Sequence, residues 1–459
     1  MSASTGSNGP DALWAGVAQA LAAPHAATAI APDRTGRRGS GAAAAPAQAA
    51  VRLVREDGLL RWVYEPAEAR AVPAPGRRSW RVDALQPRET VQRFTFPELG
   101  ENEVTAALQR LDQRLNPVLG TLGRPADGLR RWDGRAWVPL PAGCLAGLKG
   151  RALVLVHGTF SASAMYEKEF AATPAGRALW ARWTQAGGPY AALLAFDHPT
   201  LAVSPWLNAL ALRDALSEAL SGSTAELDLL GHSRGGLVIA WLLRMAPALR
   251  ARRAVFVGSP LAGTSLAAPD KLRQALNTLA SLADAVTATA ARTGMAAPPG
   301  VGALALGVAG LACALGRVLQ LGARTPLADA AVGLVPGLLA QGRVANNLEL
   351  AQLWPLDTRA ELHAIGGSFR PTEVDTPLWQ LWKRVTHLKD QGLYYGADLV
   401  FDQPNDLVVD SASMNAAGER WLTPPHWQDL GPSATTHHCN YFQDERVLGW
   451  LGDRLSAPD

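Results

Sequence analysis

The sequence predicts an α/β fold in which a mostly parallel sheet is flanked by helices. From Arg151 onward, short apolar runs alternate with helical patterns, which is typical of parallel strands joined by helical crossovers. Runs such as Ala152–Val156 are apolar at every position, as expected for strands buried on both faces of a sheet. A third run ends in a tight Gly-x-Ser-x-Gly turn at Gly231–Gly235, and a helical pattern follows that turn directly.

The elements predicted for this part of the chain follow one another in a regular order. The apolar runs that predict strands are Ala152–Val156, Tyr190–Phe196, Leu227–Leu230, Ala254–Val257, Leu362–Ile365 and Asp398–Phe401. Helical spacing predicts one helix at Ser204–Leu220 and a closing helix at Tyr441–Leu455. We therefore assign residues 149–459 to one α/β domain.

The first 148 residues lack this alternation and divide into two parts. Residues 1–50 are rich in Ala, Gly, Ser and Pro, which predicts a low-complexity, disordered arm with one short helix near Leu13–Leu21. Residues 51–148 are predicted to form a β-rich accessory region, because Asp57-Gly58 separates two strand-like runs as in a type I′ hairpin. The other predicted elements of this region are a hairpin around Asp133-Gly134 and a helix at Glu103–Leu115.

An insertion interrupts the strand–helix alternation between about residues 265 and 355. It is rich in Ala, Leu and Gly, and Gly294–Gly316 contains no charged residue. This length approaches that of a membrane span, but Pro298-Pro299 leaves a helix of only about 17 residues. Three interpretations remain, namely a helical cap buried against the domain, a membrane-spanning helix and peripheral contact with a membrane surface. The short, glycine-rich and alanine-rich helix favours the cap.

Composition argues against several classes of protein. The net charge is +3, from 43 basic and 40 acidic residues, and no basic block is interleaved with aromatic residues, which argues against nucleic-acid binding. The cysteines Cys144, Cys313 and Cys439 are too few and too far apart for a disulfide framework or a metal knuckle. No positive charge precedes the mildly apolar N-terminal stretch, so no signal peptide is predicted and a cytoplasmic soluble protein is expected.

The serine of the tight turn has the features of a nucleophile. A serine hydroxyl reacts poorly unless it is held out of the packing and beside a base. A sharp strand-to-helix bend would present Ser233 in this way, and it would bring the residues two before and two after the serine close together. Gly231 and Gly235 suit this bend, because only very small side chains fit there.

Acyl transfer also requires hydrogen-bond donors for the oxyanion of the reaction intermediate. The helix that follows Ser233 points its N-terminal amides, including that of Arg234, at the reacting group. The strand-end motif His157-Gly158-Thr159 supplies a second donor, since its glycine lets the backbone turn over the bend. We therefore predict an oxyanion hole formed by the amides of Thr159 and Arg234, with the His157 side chain shaping the loop rather than reacting.

The acid of the site is expected after a late strand. Residues 398–410 offer several aspartates, and Asp406 lies in a polar turn where a carboxylate can stay ionised yet half-buried. Asp406 is the predicted acid and Asp402 is the alternative to it. Asp402 and Asp410 otherwise have the pattern of turn or surface residues.

The base is expected near the C-terminus, where only His426, His437 and His438 follow the acid. His437 and His438 lie in a loop directly before the final helix, and His438 is the predicted base with His437 as the alternative. Two adjacent histidines cannot easily bind the same metal ion, and no third ligand is evident, so no metal site is predicted.

Five ordered motifs carry a resemblance to a known superfamily. They are HGTF at 157–160, FDHPTLAVSPWLNA at 196–209, GHSRGG at 231–236, GSPLAGT at 258–264 and NDLVV at 405–409. From about Arg151 to the C-terminus the chain resembles a lipase-like α/β-hydrolase, and within that superfamily it is most similar to bacterial domains with these motifs. His438-Cys439-Asn440-Tyr441-Phe442 is close to the HxxYF of such domains, whereas Ser259 replaces their usual threonine. The first 150 residues are not covered by the resemblance.

The resemblance implies an α/β-hydrolase fold with a triad in the chain order Ser233, Asp406, His438. The expected activity is that of a serine esterase or lipase-like hydrolase, which acts on a small-molecule acyl ester or lipid and needs neither a cofactor nor a metal. One alternative is a non-catalytic binding module with the same fold. Another is an amidase or acyltransferase, because the same triad serves those reactions.

Overall fold

The fold is described for most of the chain by a computed structural model. It covers residues 9–22, 49–56, 58–65, 89–96, 127–141, 143–267, 272–294, 297–298, 300–314, 340–342, 347–354, 356–371, 377–378, 380–381, 404–417 and 420–456. In this part of the chain the strands are β1 (Ala49–Glu56), β2 (Leu59–Glu65), β3 (Glu89–Phe96), β4 (Gly128–Trp132), β5 (Trp137–Pro139), β6 (Arg151–Val156), β7 (Ala192–Asp197), β8 (Glu226–His232), β9 (Ala251–Val257), β10 (Glu361–Phe369), β11 (Ala416–Ala417), β12 (Arg420–Trp421) and β13 (Trp427–Ser433). The α-helices are α1 (Pro10–Ala22), α2 (Ala164–Ala171), α3 (Pro174–Thr184), α4 (Pro205–Ala219), α5 (Arg234–Met245), α6 (Leu272–Thr293), α7 (Gly300–Ala314), α8 (Leu348–Leu353) and α9 (Glu445–Leu455).

An eight-stranded sheet lies at the centre of the fold, with the strand order β13-β10-β9-β8-β6-β7-β4-β5. Strands β6 to β10 and β13 pair in parallel, and β4 and β5 are antiparallel to their neighbours. The register aligns Val156 with Gly231 and His232 with Val257, so the carboxyl ends of β6, β8 and β9 reach the same edge. The predicted α/β fold with a mostly parallel sheet is confirmed.

Both faces of this sheet are covered by helices, because its central strands are apolar on both sides. One core contains Phe170 of α2, Trp183 of α3 and Leu451 of α9. The other core contains Leu212 of α4 and Leu237 of α5. Such continuous burial explains why residues 152–156 of β6 and 192–196 of β7 are apolar at every position.

The hairpin around Asp133-Gly134 belongs to the main sheet, whereas the sequence placed it in the accessory region. Its first strand, β4, pairs antiparallel with β7. The hairpin packs there because Trp132 and Trp137 form an edge-to-face aromatic cluster with Trp180 of α3, with centroid distances of 5.4 and 6.0 Å to that ring. The sheet therefore begins before residue 149, the boundary that the sequence predicted.

The accessory region contains a separate antiparallel sheet with the strand order β2-β1-β3. The hairpin between β1 and β2 forms where the sequence predicts it, and Gly58 has a φ of 74°, which favours glycine. The helix predicted at Glu103–Leu115 and the strand predicted at Asp398–Phe401 lie outside the described residues.

Helices α6 and α7 form the predicted cap. They pack over the carboxyl edge of the main sheet, and in the same hydrophobic core they contact the accessory sheet. Asn277 and Ser281 of α6 accept hydrogen bonds from the backbone amides of Trp62 and Leu60, at 3.0 and 3.2 Å. These side chains satisfy two backbone amides on the outer edge of β2, which pairs with β1 on its other side only. The match in spacing is possible because residues four apart on a helix rise about as far as residues two apart on a strand. Within the described residues no helix is both long and apolar enough to cross a membrane.

Helix α1, at Pro10–Ala22, agrees with the short helix predicted near Leu13–Leu21, but it docks on the rest of the protein instead of belonging to a disordered arm. Its Trp14 is fully buried in an edge-to-face contact with Trp62, and its indole nitrogen donates a hydrogen bond to Asp284 of α6 at 3.2 Å. Val17, one turn along the helix, is also buried. A few well-spaced apolar side chains thus dock a segment whose average composition is that of a disordered arm. Residues 23–48 lie outside the described part of the chain.

Removing the Trp14 side chain should destabilise the protein. Trp14→Ala is expected to lower the free energy of unfolding by about 3–5 kcal/mol, because it leaves a cavity between α1, β2 and α6. Chemical denaturation measures the change, and Gln19→Ala on the exposed face of the same helix is the matched control. Equal stability of the two variants would mean that α1 does not dock in solution.

Candidate active site

Ser233 lies in a strained bend between β8 and α5, at the carboxyl edge of the main sheet. Its φ of 54° and ψ of −129° are sparsely populated for a residue with a side chain. The bend is held by a hydrogen bond from the Ser233 amide to the Val257 carbonyl at 2.9 Å. A Cβ atom on Gly231 would lie 2.7 Å from the amide nitrogen of Gly236, and one on Gly235 would collide with the Val156 carbonyl. Both flanking glycines are therefore required by close backbone approach.

The structure brings Ser233, His438 and Asp406 into one line of contacts. The Ser233 hydroxyl lies 2.9 Å from Nε2 of His438, and Nδ1 of the same ring lies 2.8 Å from Oδ2 of Asp406. An ionised carboxylate only accepts hydrogen bonds, so Nδ1 donates to Asp406 and Nε2 is left to accept the serine proton. All three side chains are buried.

Asp406 is surrounded by hydrogen-bond donors. Its Oδ1 accepts from the amides of Val408 and Val409, and its Oδ2 accepts from the Tyr441 hydroxyl at 2.9 Å in addition to His438. Burial acts to raise the pKa of Asp406, but the adjacent His438 and the backbone donors outweigh it and lower that pKa below its usual value. The carboxylate is therefore ionised at neutral pH.

The alternatives for the acid and the base occupy other places. His437 turns its ring away and packs edge-on against Phe369, and burial lowers its pKa to about 4. Asp410 is buried and accepts hydrogen bonds from the amide and hydroxyl of Ser265, which fixes the loop beside the site. His426 lies at the opposite edge of the sheet, before β13, and Asp402 lies outside the described residues.

Two side chains of the site were not singled out from the sequence. His232 lies beside His438, and its Nε2 is 3.2 Å from the His438 carbonyl oxygen. Burial, with the nearby His438, lowers the pKa of His232 to about 3, so the ring is neutral and its Nε2–H holds the His438 backbone. Tyr441 follows His438 by three residues within the HxxYF motif, but that spacing alone does not reveal that its hydroxyl contacts Asp406.

The loop from His157 to Phe160 passes directly over the bend at Ser233. A Cβ atom on Gly158 would lie 2.8 Å from Cβ of Ser233, so only glycine permits this approach. The His157 ring is buried, contacts the Gly158 carbonyl at 2.9 Å through Nδ1 and accepts a hydrogen bond from the His198 amide at Nε2. Thr159 follows and lines the cavity beside Ser233, and Arg234 begins helix α5.

A mostly apolar cavity of about 110 Å³ opens at Ser233. Its floor includes Ser233, His438 and Thr159, and its roof comes from the cap. The apolar residues that line it include Phe160, Met165, Leu266, Ala267, Ala275, Leu276, Leu279, Leu304, Leu311, Val408 and Phe442. Gln341 lies in the same wall and donates a hydrogen bond from Nε2 to the Thr159 hydroxyl at 3.1 Å.

The sheet order, the bend after β8 and the helical cap together define an α/β-hydrolase fold. The chain belongs to the family described as domain of unknown function DUF7379, which matches residues 127–456. That match begins with the hairpin that joins the main sheet at β4. No curated protein sequence matches the chain.

Several solved structures are similar to this chain at low sequence identity. Lipase 1 from Pelosinus fermentans is 14% identical, with 68% of this chain and 100% of that chain covered and a TM-score of 0.40. The Cif epoxide hydrolase from Acinetobacter nosocomialis is 14% identical, with 76% and 96% covered and a TM-score of 0.39. The mature lipase BlEst2 from Bacillus licheniformis is 15% identical, with 67% and 93% covered and a TM-score of 0.34.

Proposed function

We propose that the protein is a serine hydrolase that cleaves carboxylic esters through a covalent acyl-enzyme. The observation that carries this proposal is the line of contacts from Ser233 Oγ through His438 to Asp406, at 2.9 and 2.8 Å. Ser233 itself has a strained backbone and lies on the floor of an apolar cavity. Hydrogen-bond distances between nucleophile, base and orienting acid are the geometric requirement of such a triad.

In the first half of the reaction Ser233 attacks the ester carbonyl carbon. His438 takes the hydroxyl proton at Nε2 while Asp406 holds the imidazole at Nδ1, and an oxyanion forms on the former carbonyl oxygen. The amides of Thr159 and Arg234 donate to that oxyanion. The intermediate then collapses, the imidazolium gives its proton to the leaving alcohol, and the acyl group remains bonded to Ser233.

In the second half a water molecule replaces the alcohol. His438 removes a proton from the water as it attacks the acyl carbon, and the imidazolium then returns this proton to Ser233 Oγ. The products are a carboxylic acid and the free enzyme, so no redox step and no metal ion enters the balance. Tyr441 and the Val408 and Val409 amides keep Asp406 ionised and oriented throughout.

A serine-directed probe tests the proposal. A fluorophosphonate should label the full-length protein, and Ser233→Ala should abolish that labelling because the phosphonyl group bonds to the activated hydroxyl. Ser161→Ala is the matched control, since Ser161 lines the same cavity but contacts the Met165 sulfur rather than an imidazole. Failure of the folded wild-type protein to react would favour a non-catalytic binding module.

The apolar cavity supports a hydrophobic acyl group as the substrate portion bound beneath the cap. Polar substitution of Leu304 or Leu311, for example by asparagine, should reduce kcat/KM on long-chain esters more than on acetyl esters. We expect the ratio of the two activities to fall roughly tenfold or more, because lost apolar contacts in a pocket are worth about 1–3 kcal/mol each. A panel of acyl esters of increasing chain length measures this ratio.

Leu306 provides the matched control for this experiment. It lies on the same helix α7 and is buried in the same core, but it does not line the cavity. Leu306→Asn should therefore lower the melting temperature without changing the preference for chain length. If all three variants keep the wild-type ratio of long-chain to acetyl ester activity while their melting temperatures fall, the cap does not bind the acyl chain.

A further inference from the structure

A second cluster of potential ligands lies at the opposite edge of the main sheet from Ser233. Glu361 and His363 lie at the start of β10, and His426 immediately precedes β13. The parallel pairing of β10 and β13 aligns Ala364 with Trp427, and the Ala364 amide donates to the His426 carbonyl at 2.8 Å. Among the described residues these three side chains place one ligand atom each within 4.8 Å of one another.

The nitrogen atoms of this cluster lack the partners that buried imidazoles ordinarily have. The His363 side chain is 3% exposed, and neither of its ring nitrogens has a hydrogen-bond partner within the described part of the chain. Its Nε2 lies 3.3 Å from Glu361 Oε2, within ion-pair distance. Nδ1 of His426 also lacks a hydrogen bond and lies 3.8 Å from Glu361 Oε1. Buried polar atoms without partners are rare and call for an explanation.

We propose that Glu361, His363 and His426 bind a divalent transition-metal ion, and that Zn²⁺ fits their donor set best. Two imidazoles and a carboxylate are typical zinc ligands, and a tetrahedral ion with bonds of about 2.0–2.1 Å has ligand atoms about 3.3 Å apart. Glu361 contacts His363 through Oε2 at 3.3 Å and His426 through Oε1 at 3.8 Å, so its carboxylate lies between the two imidazoles. Water completes the coordination, because Glu361 and His426 are about two-fifths exposed.

Arg253 forms a hydrogen bond with Glu361 but does not fill the space between the three proposed ligands. Its Nε donates to Glu361 Oε2 at 2.9 Å, which orients the carboxylate and leaves Oε1 facing His426. Such hydrogen bonds to a ligating carboxylate are usual around protein-bound metals. The competing arrangement is an ion-pair cluster in which Arg253 is the cation paired with Glu361. Arg454, which lies close enough to influence His363, is the other nearby cation.

The ion would join β10 to the segment that precedes β13. Its role is structural, because the cluster lies at the amino ends of these strands whereas Ser233 lies at the carboxyl edge of the sheet. Zinc should therefore raise the melting temperature while ester hydrolysis by the same preparation remains unchanged. The proposal is thus independent of the activity proposed for Ser233.

Metal titration of tag-free, EDTA-treated full-length protein tests this site. We expect uptake of about one Zn²⁺ per chain by calorimetry, a rise in melting temperature, and visible absorption of a tetrahedral ion with Co²⁺. His426→Ala and His426→Gln should each weaken zinc binding at least about tenfold, because loss of even a hydrogen-bond partner of a ligand costs about 10–100-fold in metal affinity. The half-exposed His426 can be replaced without opening the core, and the melting temperature of the metal-free variants verifies this.

The matched control is Glu226→Gln, which alters an exposed carboxylate at the start of β8 on the same edge of the sheet. It should bind zinc like the wild-type protein. Wild-type protein that takes up no zinc would establish the ion-pair cluster with Arg253 and overturn the proposal. Zinc binding that is equally strong in the His426 variants would place the ion elsewhere and overturn it as well.

Discussion

Ser233→Ala and His438→Ala are each expected to lower kcat on a short-chain ester by about 10⁶-fold, and the double variant should be no worse than either. In the proposed mechanism nucleophile and base act as one unit, so removal of either would end the covalent route and leave only the residual effect of substrate binding and of the oxyanion donors. The hydroxyl and the imidazole are 2.9 Å apart, which makes them a coupled pair. Steady-state kinetics of the three variants measures the loss.

His437→Ala is the matched control for the base. His437 is the adjacent histidine, but its ring packs on Phe369 and its Nδ1 accepts a hydrogen bond from the Cys439 amide. Its removal should cost stability, visible as a lower melting temperature, while the folded variant keeps most of its kcat. Inactivation by His437→Ala with an active His438→Ala would reverse the assignment of the base and leave the acyl-enzyme mechanism intact.

Asp406→Asn is expected to lower kcat by about 10⁴-fold, less than loss of the serine or the histidine. An asparagine amide in this position can donate to Nδ1 of His438, which favours the tautomer whose Nε2 carries a proton and cannot accept one from Ser233. The pKa of Asp406 lies below its usual 3.8, so in the wild-type protein this group stays ionised down to that pH and should not limit activity at neutral pH. Kinetics from pH 5 to pH 9 measures both effects.

Two further variants, Asp410→Asn and Tyr441→Phe, distinguish the effect of the Asp406 charge on kcat from the effect of destabilising the loop that carries it. Asp410 is a buried carboxylate in the same loop that accepts hydrogen bonds from Ser265, so its change should lower the melting temperature with little loss of kcat at saturating substrate. Tyr441→Phe removes one donor from Asp406 and should lower kcat less than Asp406→Asn does, because the carboxylate keeps its contact with His438. A kcat for Asp406→Asn equal to that of Asp410→Asn would contradict the proposed role of Asp406.

The sequence predicts the parts of the site that depend on local chain geometry. A glycine-flanked serine between an apolar strand and a helix predicts the bend at Ser233, because few other residues tolerate that backbone. Strand ends in a parallel sheet meet at one edge, which also predicts that Thr159 and Ser233 lie close together. The contacts of Tyr441 with Asp406 and of His426 with Glu361 join residues far apart in sequence, and one chain contains no signal for such pairings.

The errors in the fold prediction have a related cause. The sequence predicted the short helix that α1 forms, but average composition placed it in a disordered arm. Burial depends on a few large side chains, and Trp14 and Val17 are enough to dock α1. An Asp-Gly pair predicted the hairpin of β4 and β5, but turn chemistry does not specify which sheet a hairpin joins. That choice depends on Trp180 and β7, which come later in the chain.

Helix α6 is shared by two parts of the protein, since Leu276 and Leu279 line the cavity while Asn277 and Ser281 bind the edge of β2. Movement of α6 away from the cavity would break both hydrogen bonds and expose the core that α6 shares with the accessory sheet. A ligand that fills the cavity should therefore stabilise the accessory sheet against any opening in which the ligand is lost, by up to about 2.7 kcal/mol at a free concentration one hundred times its Kd. Hydrogen exchange at the amides of β2 should accordingly slow when a substrate analogue occupies a cavity that β2 does not touch.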